Sequence, residues 1–236
     1  MSAALTVGSM FSGIGALDLG LEQAGMVTRW QAEVDPYCNR VLARHWPHVP
    51  NLGDVDLIDW SSVERVDLIA GGFPCQDVSK ASRTREGIDG EKSGLWRCMA
   101  AAVRDLRPRF VLVENVAALL TVGWGRVLGD LAALGYDAEW SCLPAAAFGA
   151  PHLRDRVYLV AYASSERHRA PDDAVFARGA GAQLHGGWAP EPAVGRVVDG
   201  AAARLDPDRE PRIRALGNSV CPPVIRWIGE RIVAAA

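Results

Sequence analysis

What most constrains this chain is where its short apolar runs stop. Leu5–Met10 ends at Phe11-Ser-Gly-Ile-Gly15, and Val27–Val34 closes on the acids Glu33 and Asp35. Val66–Ala70 runs into Gly71-Gly-Phe-Pro-Cys75, and Phe110–Val113 into Glu114-Asn115. Helical segments are expected between them, at Ala16–Ala24, Gly94–Leu106 and Gly125–Leu134. Another, capped by Asp35 with Pro36 at its first position, runs to about His45. Val157–Ala161 is the last clear strand. Strands alternating with helices predict right-handed crossovers, hence an α/β doubly wound, mostly parallel, Rossmann-like sheet covered on both faces. Ligands on such sheets bind beyond the carboxyl ends of the strands, where these clusters and Gly53–Asp54 fall.

With 236 residues, 49% of them apolar, the chain can build one sizeable core and a small lobe. Residues 164–211 are rich in Gly, Ala, Pro, Arg and Asp and show no sustained period, so they read as that lobe. The expected division is 1–163 plus 212–236 as the main domain, closed by an amphipathic helix over Pro223–Val233. No apolar run is long enough for a membrane span, and no secretory signal is visible. The five cysteines are scattered and never spaced CxxC, which argues against disulfides or structural zinc and fits a reducing cytoplasm; a metal-free chain acting as a monomer is expected.

A net charge of −3 does not advertise a polyanion partner, but charge is unevenly distributed. Residues 1–79 carry ten acids against four basic residues; residues 80–109 carry eight basic residues against four acids. Beginning just after Cys75, that stretch suits phosphate neutralisation, or is simply a solvated, charge-balanced loop and helix.

Each chemical motif has a bland reading beside the functional one. The turn Phe11–Gly15 lets backbone approach a ligand and offers helix N–H groups to an anion, or merely packs tightly. Glu33 at the next strand end suits ribose hydroxyls, in nucleoside and dinucleotide enzymes alike. Cys75, held by Pro74 at a strand end, is placed for nucleophilic attack, although a lone cysteine is more often packed. Glu114 leaves an apolar strand, where desolvation would raise its pKa and make it a proton donor; otherwise it is a satisfied acid at a helix start. Arg154 and Arg156, at alternate positions, are expected on one face, binding an anion or polarising a base, or standing as surface charges.

Taken in order, the motifs resemble those of the DNA (cytosine-5)-methyltransferases of bacterial or phage type. Phe11-Ser-Gly-Ile-Gly15 looks like the cofactor turn, and Glu33-Val-Asp35 and Gly53-Asp-Val55 like the ribose- and adenine-binding segments. Gly72-Phe-Pro-Cys-Gln76, Glu114-Asn-Val116 and Arg154-Asp-Arg156 look like the three catalytic motifs, and Gly217-Asn-Ser-Val220 like the C-terminal one. The resemblance implies S-adenosylmethionine as cofactor and cytosine in double-stranded DNA, flipped from the helix, as substrate. It makes Cys75 the nucleophile toward carbon 6 and Glu114 the partner of ring nitrogen 3, with Arg156 orienting the base and Arg154 supporting it. It places Phe11, Gly13, Ile14, Gly15, Glu33, Val34, Asp54, Val55, Pro74, Leu95, Asn218 and Val220 around the cofactor. Residues 76–94 resemble the loop that closes over the flipped base, with Gln76, Ser79, Lys80, Arg83 and Arg85 toward DNA.

The chain departs from that pattern in places. Ser9 stands where many relatives carry an acid, Val34 where an aromatic often stacks on adenine, and His152 where glutamine is frequent. The target-recognition region is short, with Arg167, Arg169, Arg178, His185 and Trp188 as its candidate DNA contacts. So small a lobe is expected to read a short site or to bind with relaxed specificity. Alternative readings are an RNA cytosine-5 methyltransferase, a DNA enzyme transferring another group, or a catalytically weak DNA-binding regulatory subunit. A dehydrogenase ranks last, because it leaves Phe-Pro-Cys-Gln and the arginine pair unexplained.

Overall fold

The computed structural model describes residues 3–74, 94–164, 174–176 and 208–236. Six strands form one sheet in the order β2-β1-β3-β4-β6-β5: β1 Thr6–Met10, β2 Val27–Ala32, β3 Leu68–Gly71, β4 Phe110–Val116, β5 Tyr136–Pro144 and β6 Asp155–Ala163. The helices are α1 Ala16–Gln23, α2 Pro36–His45, α3 Trp96–Leu106, the short α4 Leu119–Val122, α5 Trp124–Ala133, α6 Arg209–Asn218 and α7 Pro222–Ala234.

β3 is buried along its whole length, and β4 along all but its last residue. Their apolar residues do not alternate with polar ones because both faces are covered. On one face Trp60, Trp96, Met99, Val103, Val127 and Leu131 pack against Val111, Val113 and Leu159. On the other, Leu17 and Leu21 of α1 and Val224, Ile225, Ile228 and Ile232 of α7 pack against Leu68, Leu112 and Val160. α1 and α7 meet closely there, with no room for a side chain at Gly20, where a Cβ would lie 2.5 Å from Ile225 Cβ.

The sheet is mixed. β2, β1, β3 and β4 are parallel neighbours, whereas β6 runs antiparallel to both β4 and β5. The sheet is thus mostly parallel, as expected, with Val157–Ala161 in the strand that runs antiparallel to its neighbours. β5 gave no clear strand signal because it is an edge strand whose middle, Asp137–Cys142, is only partly covered and largely polar. The reversal matters: where β6 begins, it meets the edge at which the parallel strands end, and Arg156 pairs with Val116.

α6 begins at Arg209, three residues earlier than sequence alone suggests and inside the stretch assigned to the lobe. From that stretch Val175 is buried in the core, and Phe176 stacks on Trp227 with ring centroids 6.4 Å apart. Glu139 of β5 accepts the backbone N–H of both residues. No helix among the described residues is long and apolar enough to cross a membrane.

Candidate active site

A cavity of about 800 Å³ opens at the carboxyl edge of the parallel strands. Its first wall is the turn after β1. Gly13 has φ +56°, a left-handed conformation that glycine takes without strain. The turn is fastened from the next strand end: Glu33 Oε2 accepts the Gly13 N–H at 2.7 Å, while Oε1 accepts those of Val34 and Asp35 at 2.8 Å each. Asp35 then caps α2, accepting from Tyr37 N and Cys38 N with Pro36 at the start of the helix. Asn51 ties the third segment in place, its Oδ1 accepting from Glu33 N and Gly53 N and its Nδ2 donating to Glu33 O.

Beneath the turn lies a polar network that the motifs did not reveal. Asp18 is fully buried on α1 and accepts from Ser9 Oγ at 3.0 Å and Gln31 Nε2 at 2.9 Å. Ser12 Oγ donates to Ser9 O and accepts from Ala32 N. Burial raises the Asp18 pKa to about 6, against the pull of its two side-chain donors. An acid beside buried Leu17 and Leu21, on the apolar side of a helix, was the signal available. It bonds to Ser9, so in this chain a carboxylate from the helix reaches the position in β1 where many relatives are expected to carry an acid.

The opposite wall carries charge. Along β4, Leu112 and Glu114 share the face that packs on α1 and α7. Tyr158 pairs with Glu114, and Arg156 occupies the same face one step diagonal. Arg156 Nε lies 3.2 Å from Glu114 Oε1. Glu114 is only 8% exposed, and burial pushes its pKa up to about 7 although Arg156 and then Arg154 pull it down. Gly72 leaves space for this carboxylate, since a Cβ there would stand 2.7 Å from Glu114 Oε2. Asn115, on the other face, donates from Nδ2 to Phe73 O at 3.0 Å and fastens the Phe73-Pro74 segment to β4.

The cavity collects most of the residues singled out from sequence. Phe11, Gly13, Ile14, Glu33, Val34, Asp54, Val55, Pro74, Leu95, Asn218 and Val220 all line it, and so do Glu114 and Arg156. Phe73, singled out only as part of the cysteine motif, lines it too, and Cys38 and Arg214 do so without having been foreseen. Arg214 on α6 reaches Asp35, 3.1 Å away. Gly15 and Arg154 line a neighbouring cavity of about 660 Å³ instead. Gly15 is the N-cap of α1 and faces Trp46 and Leu42, so it shapes the turn from behind. Arg154 does not share the direction of Arg156. It precedes β6 with φ +35°, off the extended path that would put alternate residues on one face, and donates to the carbonyls of Gly217 and Ser219. Cys75, Gln76, Ser79, Lys80, Arg83 and Arg85 lie outside the described residues, as do Arg167, Arg169, Arg178, His185 and Trp188.

A glycine turn fastened to an acid at the next strand end thus faces a buried carboxyl–arginine pair across one cavity at the carboxyl edge of a doubly wound sheet. The chain belongs to the C-5 cytosine-specific DNA methylase family, whose model matches residues 5–179. It is 36% identical to the Type II methyltransferase M2.BsuMI of Bacillus subtilis, over 74% of this chain and 45% of that one. With M.DsaV of Dactylococcopsis salina it shares 31% identity, over 65% of this chain and 44% of the relative. It thus spans about half the length of the curated relatives it matches. The fold is also that of a prophage-encoded DNA modification methyltransferase from Escherichia coli, with a TM-score of 0.60 at 24% identity over 72% of this chain and 50% of that one.

Proposed function

We propose that the chain transfers a methyl group from S-adenosylmethionine to carbon 5 of cytosine in double-stranded DNA. The observation that carries this reading is that Glu114 and Arg156 share one cavity with the Glu33-fastened turn. The cavity suits the cofactor chemically: Glu33 and Asp54 offer acceptors for hydroxyls, while Phe11, Val55 and Leu95 offer apolar surface for a purine. Bound S-adenosylmethionine supplies the electrophilic methyl group.

The chain's own residues then divide the work. Cys75, next in sequence to the cavity-lining Pro74, adds through sulfur to carbon 6 and so makes carbon 5 nucleophilic. Glu114 holds a proton at ring nitrogen 3, where negative charge develops as that bond forms. With its pKa near 7 it is substantially protonated at neutral pH, as a donor must be. Arg156 keeps the carboxyl in position and offers its remaining N–H groups to the base. Loss of the carbon-5 proton expels the Cys75 sulfur and restores the ring. Reaching the base requires lifting it from the stack, at a cost of a few kcal/mol.

Residues 1–163 and 212–236 form the catalytic unit in this reading, and 164–211 contribute to target recognition, anchored where Glu139 holds Val175 and Phe176. The experiment is transfer of labelled methyl from S-adenosylmethionine into duplex DNA and into tRNA by the purified chain. Label at carbon 5 of DNA cytosine is expected; label confined to tRNA, or none, would overturn the reading.

A further inference from the structure

The segment that closes the cofactor cavity, from α6 to Val220, is tied to the body at both ends. α6 has no buried residue, and Ile213 and Leu216 are exposed. Its ties to α2 are the ion pairs Arg40–Asp208 at 2.6 Å and Arg214–Asp35 at 3.1 Å. Most of these side chains are half-exposed, and such pairs are weak in water. The other end is held differently. A helix leaves its last carbonyls without partners, and Arg154 Nη2 donates to two oxygens there, those of Gly217 at 3.0 Å and of Ser219. These carbonyls bracket Asn218, and Asn218, Ser219 and Val220 all line the cofactor cavity. Arg154 itself lines only the cavity behind them, which shares Ser219 and Val220 as its wall.

We propose that Arg154 is a positioning residue for the cofactor: it fixes the Gly217–Val220 turn as the wall of the S-adenosylmethionine cavity. Arg156 alone of the arginine pair then serves the base. The division follows from the backbone, since φ +35° takes Arg154 off the extended path of β6 and its guanidinium donates to carbonyls at the end of α6. A guanidinium is suited to this task because it keeps its charge at every relevant pH and directs its N–H groups in a fixed fork.

The inference rests on the cofactor reading above, and the test separates the two. Binding of S-adenosylhomocysteine to the full-length chain is measured by calorimetry without DNA, alongside steady-state methylation. In Arg154→Gln the affinity is expected to fall about tenfold or more and KM for S-adenosylmethionine to rise in parallel, as for a lost charge-assisted hydrogen bond. At about pH 6, where Glu114 is already largely protonated with or without the Arg154 charge, kcat at saturating cofactor stays within about threefold, because the Glu114–Arg156 contact is kept. Arg154→Lys, which keeps the charge, should fall between the two and carries the test if the glutamine variant does not fold. Unchanged affinity with a depressed kcat in either variant would overturn the assignment of Arg154. Failure of the wild-type chain to bind S-adenosylhomocysteine would overturn the cofactor reading and this inference with it.

Discussion

The two halves of the sheet build their parts of the site by opposite means. On the parallel side, the turns after β1 and β2 and the Asn51–Gly53 segment have backbone N–H groups collected by Glu33, Asp35 and Asn51. Side chains there organise backbone, and backbone faces the cavity. On the antiparallel side, β4 and β6 are regular to their ends and present Glu114 and Arg156 directly from the strands. The first method suits recognition of a fixed shape. The second suits a proton, because a strand buried on both faces supplies the desolvation that moves the Glu114 pKa. Loss of a group on the parallel side should therefore appear in KM, and loss on the antiparallel side in kcat.

The largest effect is expected at the proposed nucleophile, Cys75. Cys75→Ser should abolish incorporation of labelled methyl while leaving calorimetric binding of S-adenosylhomocysteine within about twofold, since the cofactor wall is intact. Glu114→Gln follows, with kcat reduced roughly 10²- to 10⁴-fold and cofactor KM nearly unchanged. A KM defect in place of a kcat defect would break the comparison. Glu33→Gln is the converse case. Weakened charge-assisted bonds to Gly13, Val34 and Asp35 should raise cofactor KM about 10- to 100-fold with a much smaller change in kcat.

pH sharpens the same contrast. Because the acid form of Glu114 is the active one, kcat/KM should fall as pH rises through about 7. Arg156 favours the ionised carboxylate, so Arg156→Gln should move that alkaline limb to higher pH while lowering the rate throughout. Stability has the same sign. Glu114 and Asp18 bind protons more tightly in the folded chain than their ordinary values of 4.5 and 3.8 allow. Their contribution is full below those values and is lost as pH rises through about 6 for Asp18 and about 7 for Glu114. Melting temperature should therefore decline between about pH 4 and pH 7 on their account, and Asp18→Asn should flatten the part between about pH 4 and pH 6. Smallest of all, Arg40→Ala should cost no more than about 1 kcal/mol, lowering the melting temperature by about 4 °C at most.

The parallel half was the more legible in sequence, for a physical reason. Its work is done by residues that punctuate a chain: Gly13 at a positive φ, Asp35 before Pro36, an acid at a strand end. Each leaves a local mark. The antiparallel half is set by pairings distant in sequence. β5 hid because an edge strand need not be apolar, and the direction of β6 is set by its pairings with β4 and β5. The divergence of Arg154 from Arg156 was equally illegible, since alternation assumes an extended backbone that Arg154 does not have. The Asp18 network lay between these cases: the acid on an apolar helix side was visible, but its partners Ser9 and Gln31 come from two other strands.

Glu33 carries one further consequence. Its carboxylate already receives three backbone N–H bonds from the protein itself. A carboxylate has room for about four such bonds, so a ligand hydroxyl can join without displacing any of them. The turn is therefore rigid before anything arrives. Binding costs little ordering of the chain at this end, and the affinity gained there reflects contact rather than rearrangement.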